Sequence, residues 1–180
     1  MTHTNPPSAA AAAEHRHGQP ACREALRDCL LALAPGGAAA PLLPAHPVAV
    51  QLFCVHRDFV GWPFEQPEVL QALAAWLRVP GRRLVLIGVD FETTARQLPR
   101  FARWRRDRSH RVDAWRPTES GLPDGLRGLL VGATAWRWLE TQDAQLLQIT
   151  DPAQRQIFKA EIADFLQHCE PAWPATTVGL

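Results

Sequence analysis

Two apolar runs with an amphipathic segment between them constrain this chain most. Residues 48–55 (VAVQLFCV) and 83–89 (RLVLIGV) are rich in β-branched and aliphatic side chains and too short for helices. Residues 68–78 (EVLQALAAWLR) place Val69, Leu70, Leu73, Trp76 and Leu77 at helical spacing. Pro67 suits the first helical turn, and Pro80-Gly81 stops the helix. Strand, helix and strand in that order predict a βαβ unit with a parallel pair.

The following segments extend the pattern. A helical stretch from about Glu92 to Asp107 contains Pro99, which must kink it or open its second half. Residues 111–115 alternate as a strand, and 127–139 read as a hairpin around Gly132-Ala133. Residues 145–149 suggest one more short strand. Asp151-Pro152 carries a cap and first-turn signature for a last helix over 152–168. The expected class is α/β, with a mixed, mainly parallel sheet flanked by helices. The expected organisation is a disordered tail over 1–20, a short amphipathic helix over 21–34, a Pro/Ala/Gly linker over 35–46, the α/β domain over 47–170 and a tail over 171–180.

The chain has 180 residues, enough for one core that buries roughly 70% of the unfolded surface. A net charge of +1 excludes a global field aimed at nucleic acid or membrane. No run is long enough to span a bilayer, so no membrane partner is expected. Residues 1–20 contain no apolar signal-peptide core. Cys22 and Cys29 lie two helical turns apart, about 10 Å, beyond disulfide reach. Unpaired thiols fit a reducing cytoplasm, the expected location. His15 and His17 form an H-x-H that lacks further ligands, so no metal site is expected. No cofactor motif occurs: there is no G-x-x-x-x-G-K, no G-x-G-x-x-G after the second strand, and no G-x-S-x-G.

Arginine is concentrated locally. Between residues 96 and 116, eight arginines face two aspartates. Arg96, Arg100, Arg103, Arg105, Arg106, Arg108 and Arg111 are the candidate anion-binding side chains, with Arg116 beyond them. Trp104 and Trp115 in the same stretch offer base-stacking surfaces, which makes nucleic acid an alternative partner that is not favoured. A solvated helix face is the simpler account, with Leu98, Phe101 and Ala102 turned inward. Asp58, Glu65, Asp90 and Glu92 follow the two strands, and helix capping explains their placement more simply than catalysis. Trp136 and Trp138 share one side of a strand and are the candidate interface residues of a symmetric homodimer, weighed against packing under the last helix.

The order of these segments resembles half of a phospholipase D-like domain, in the degenerate form found in uncharacterised bacterial proteins. The resemblance runs from Val48 to Trp173 through VAVQLFCVHRDF, PEVLQALAAWL, RRLVLIGVDF, LPRFARWRRDRSHRVDAWRP, RGLLVGATAWRWL and the closing DPAQRQIFKAEIADFLQHCEPAWP. Active members carry H-x-K-x-x-x-x-D near the strand pair, the histidine acting as nucleophile. Here Leu126, Gly128 and Ala133 stand at those positions. The resemblance therefore implies the fold without catalytic residues, and a binding or assembly role. Two alternatives remain: a phosphodiester-acting hydrolase with rearranged groups, using His56 or His110, and a nucleic-acid binder using segment 96–116. The resemblance also implies pairing of two copies, since such halves commonly complete a two-lobed unit.

Overall fold

The computed structural model describes residues 14–34, 50–119, 121–139 and 143–174. In chain order its elements are β1 (His15–His17), α1 (Gln19–Ala32), β2 (Val50–Val55), α2 (Pro67–Leu77), β3 (Arg82–Ile87), α3 (Phe91–Gln97), α4 (Pro99–Arg106), β4 (Val112–Pro117), β5 (Gly128–Val131), β6 (Thr134–Leu139), β7 (Gln145–Gln148), α5 (Pro152–Leu166) and β8 (Cys169–Pro171). The strands form one eight-stranded sheet in the order β1-β7-β6-β5-β2-β3-β4-β8.

The two apolar runs lie side by side at its centre. Strand β2 pairs in parallel with β3, Leu52 opposite Leu84 and Val55 opposite Ile87. Both runs are continuous rather than alternating because both sheet faces are covered. On one face Leu52, Cys54, Leu84, Leu86, Leu129 and Trp136 join side chains of α1, α2 and α4. On the other, Phe53, Val55, Val85, Ile87 and Leu130 meet Phe158 and Ile162 of α5.

Helix boundaries follow local chemistry. Asp90 caps α3, its Oδ1 accepting from the Thr93 N–H at 2.9 Å. Pro99 opens α4 rather than kinking one long helix. Leu98 before it sits at φ −126°, ψ 61°, outside the helical region that a following proline disfavours. Asp151 caps α5 through the N–H groups of Ala153 and Gln154, both at 3.2 Å.

Three expectations need correction. Parallel pairing does not predominate, because only β2–β3 and β3–β4 are parallel and the other five pairings are antiparallel. The short links among β5, β6 and β7 force hairpins, since a parallel return needs a crossover. Second, the tail expected over 1–20 is ordered from Glu14: His15–His17 pairs with β7, and the Gly18 N–H donates to the Ala144 carbonyl at 2.7 Å. Helix α1 is likewise part of the domain, with Cys22, Leu26 and Leu30 buried in the core. Third, the last helix ends at Leu166, and Cys169–Pro171 forms an edge strand against β4. Residues 1–13, the linker over 35–46 and the end of the C-terminal tail lie outside the described residues.

Candidate functional site

The parallel strands end at Val55 and Ile87, just before His56 and Gly88, and β5 begins beside them, with Gly128 opposite Val55. Open α/β sheets place ligands at such carboxyl ends. The Arg57 carbonyl ties the two exit loops together by accepting from the N–H groups of Val89 (2.8 Å) and Asp90 (2.9 Å). The buried Thr94 hydroxyl lies within hydrogen-bond distance of the Asp58 and Asp90 carbonyls, at 2.9 and 2.8 Å.

His56 is largely enclosed at this edge, its side chain 12% exposed. Its Nδ1 lies within hydrogen-bond distance of the Phe59 N–H, at 3.0 Å. The ring meets Trp138 edge-on at 5.4 Å between centroids and lies 6.0 Å from Phe59 and from Trp62. Asp58 Oδ1 is 3.5 Å from His56 Nδ1 and accepts from the Val60 N–H at 3.0 Å. Hydrogen bonding to His56, then to Val60, holds the Asp58 carboxyl below the ordinary carboxylate range against the opposing effect of burial. Phe59 closes this turn at φ 56°, the left-handed region that non-glycine residues seldom adopt.

The acidic residues of these loops are occupied with backbone. Asp90 caps α3, and Glu65 Oε1 accepts from the Phe101 N–H at 3.0 Å, in the first turn of α4. Glu92 is exposed. His110, the other candidate base, is an exposed residue of the turn before β4. Among the described residues, no group of three or more His, Cys, Asp or Glu side chains could hold a metal ion. The His15 and His17 rings on β1 lie 4.1 Å apart, tilted by 44°, and the His15 Nε2 lies 3.2 Å from the Gln145 side-chain oxygen.

Leu126 is buried, Ala133 is exposed in the β5–β6 turn, and Gly128 lies between them at φ 153°. A Cβ built on Gly128 would collide with the Trp136 carbonyl oxygen of the neighbouring strand. Beside Leu126 lies a groove of about 290 Å³ that reaches Arg137, Asp164 and His168. Arg137 is held there by Glu161 at 2.7 Å and by the Phe158 ring at 4.6 Å.

The seven candidate arginines do not form one patch. Arg96, Arg100, Arg103 and Arg106 are exposed. Arg96 donates to the Thr93 hydroxyl at 3.0 Å, whereas Arg100, Arg103 and Arg106 make no side-chain hydrogen bond or ion pair among the described residues. Arg108 stacks on Trp104 at 4.9 Å and donates to the Trp104 carbonyl. Arg111 donates to the Val79 carbonyl at 3.2 Å, and Arg116 pairs with Glu170 at 2.7 Å. Arg105 is only 5% exposed and lies 4.6 Å from the Trp173 ring centre. The helical repeat carries the signal for this burial, since Leu98, Phe101 and Arg105 fall on one stripe. Trp104 is buried and Trp115 half-buried, so of the two candidate stacking surfaces Trp104 is withdrawn into the core. Trp136 and Trp138, the candidate interface residues, are 5% and 7% exposed and pack into the core. Their side of β6 is the side that α1 and α2 cover.

No protein-family model matches the sequence, and no curated protein matches it. Solved structures do. The archaeal chromatin protein TrmBL2, whose structure is described as showing a novel mode of DNA binding, aligns with a TM-score of 0.59 at 11% identity over 93% of this chain and 56% of that one. The chain thus spans little more than half of that protein. Nuc from Salmonella typhimurium, a phospholipase D family member, aligns with a TM-score of 0.51 at 11% identity over 91% of this chain and 99% of that one. At such identity the likeness concerns architecture alone, and the chain is a mixed α/β domain with a phospholipase D-like fold.

Proposed function

We propose that this chain is a non-catalytic binding or assembly module, with the exposed guanidinium groups of α4 as an anion-attracting face. Gly128 carries the first half of this reading. It occupies the position that the family resemblance gives to the motif lysine, and the backbone of β6 leaves no room there for any side chain. Leu126, at the position of the nucleophile, is apolar and buried. Arg100, Arg103 and Arg106 carry the second half, because exposed cations with no carboxylate partner among the described residues attract polyanions at low salt. Four free cysteines suit a reducing cytoplasm.

The test has two arms. Incubated with bis(p-nitrophenyl) phosphate, the protein shows no turnover above buffer. Turnover abolished by His56→Ala or His110→Ala would instead establish the hydrolase alternative. On heparin, the triple variant Arg100→Gln/Arg103→Gln/Arg106→Gln elutes at clearly lower salt than the parent. Equal elution would remove the anion-attracting face.

Nucleic acid is the second reading, favoured by the same three arginines and by the fold shared with a chromatin protein. With Trp104 packed inward and Trp115 half-buried, such binding would rest mainly on phosphate contacts, fall steeply with salt and ignore sequence. A homodimer would need a surface other than Trp136 and Trp138. A light-scattering mass near the 20.0 kDa of one chain would reject it.

A further inference from the structure

Arg105 is a buried cation that meets no anion among the described residues. Its guanidinium makes no hydrogen bond or ion pair among the described residues, and Nε is fully enclosed without an acceptor. Asp113 exerts an attraction on it, but both carboxylate oxygens of Asp113 are held by Arg83, at 2.7 and 2.6 Å. Buried charges are ordinarily paired, because an unpaired one forfeits its hydration without recompense. Among the described residues the partner of Arg105 is the Trp173 indole, whose ring centre lies 4.6 Å from the guanidinium carbon. Cation–π stacking leaves the in-plane donors of a guanidinium unused.

Trp173 is placed to act as a cover. It is the second residue beyond β8, after the last backbone hydrogen bond of that edge, Ala172 N–H to the Ala114 carbonyl at 2.8 Å. Its backbone is left-handed, φ 50°, a strained state for tryptophan. Ring contacts hold it down: Phe91 at 5.2 Å and Phe101 at 6.0 Å.

We propose that Arg105 anchors a binding site for a small oxyanion, a carboxylate or a phosphoryl group, and that Trp173 covers this site. The anion lies in the guanidinium plane and takes parallel hydrogen bonds from Nε and one Nη. The indole must shift to admit it. This deepens the reading of the chain as an anion-binding module, but it places the specific contact on the buried arginine rather than on the exposed three.

The test is a titration of the full-length, nitrogen-15-labelled chain with inorganic phosphate and, separately, with acetate, followed through the arginine Nε–H and tryptophan indole N–H signals. Arg105→Lys and Trp173→Phe assign the two signals. With at least one of the two anions, both signals move together and saturate. Trp173→Ala, which opens the cover and keeps Arg105, tightens the affinity several-fold. Arg105→Lys, which keeps the charge and loses the planar pair of donors, weakens it about tenfold. The surface triple variant leaves it within about twofold, as expected of screened charges. No saturable movement of the Arg105 signal at about 50 mM of either anion, in the parent or in Trp173→Ala, would overturn the proposal. So would movement lost in the surface triple and kept in Arg105→Lys. Loss of heparin affinity in the triple variant bears on the exposed face alone, so the two readings fail separately.

Discussion

Among the described residues, one face of the sheet carries α1, α2 and α4, and the other carries α5. The first face holds Trp62, Trp76, Phe59, Phe64 and Phe101, all essentially inaccessible. Their rings run in series, Phe59 to Phe64 at 6.0 Å and Phe64 to Phe101 at 4.3 Å. The second face hangs on two fully buried helical side chains, Phe158 and Ile162, supported by the Asp151 cap and the Arg137–Glu161 pair. Apolar burial scales with area, so the first face shares its stability among many residues and the second concentrates it in few. Elements with few buried contacts open locally before the whole domain does.

The largest effect is expected where both faces depend on one strand. Gly128→Ala pushes a Cβ into the Trp136 carbonyl and separates β5 from β6, with a loss above about 4 kcal/mol. Urea denaturation would show a collapsed midpoint or no folded baseline. A near-parental midpoint would mean that the hairpin yields easily. Next, Phe158→Ala costs about 3–5 kcal/mol and Leu73→Ala about 2–5 kcal/mol. Hydrogen exchange separates them: the first speeds exchange in α5 ahead of the rest, the second speeds it across the sheet. Equal patterns would erase the contrast between the faces. Removing the α5 cap with Asp151→Ala costs about 1 kcal/mol and frays the first turn of that helix.

A smaller effect depends on pH. The Asp58 carboxyl is held below its ordinary range mainly by His56, so its folded pKa is lower than the unfolded value of about 3.9. Its stabilisation is fully present above that unfolded value and is lost as pH falls through the folded one. Asp58→Asn should flatten this acid limb of the stability curve, read by thermal melts between about pH 5 and pH 2. An unchanged limb would assign acid sensitivity elsewhere. Least of all, Arg100→Gln should shift stability by no more than about 0.5 kcal/mol, since its side chain is exposed and unpaired.

Much of this architecture is legible in the chain itself. The central strands follow from runs that are apolar on both sides, and α2 from its stripe. Asp90, Pro99 and Asp151 set helix boundaries through contacts within three residues, which sequence carries directly. The candidate site is less legible. That Asp58 and Asp90 serve loop and helix backbone can be read locally. That Trp138 closes over His56 cannot, because the two meet across the sheet from positions 82 apart.

The edge strands mark the same limit. His15–His17 and Cys169–Pro171 are three residues each, with no apolar alternation, and they become strands only because β7 and β4 present unpaired backbone groups beside them. Arg105 lies on a helical stripe that the sequence shows, yet its composition argues for solvent. Its burial is decided by Trp173, which returns along β8 from 68 residues away and closes over the guanidinium. Local spacing thus determined which segments became helices and central strands, since their hydrogen bonds and apolar faces are set by near neighbours. Only the tertiary structure decided which arginines stay in water and which tryptophans leave it, since burial is set by the segments that pack above a residue, however far along the chain they lie.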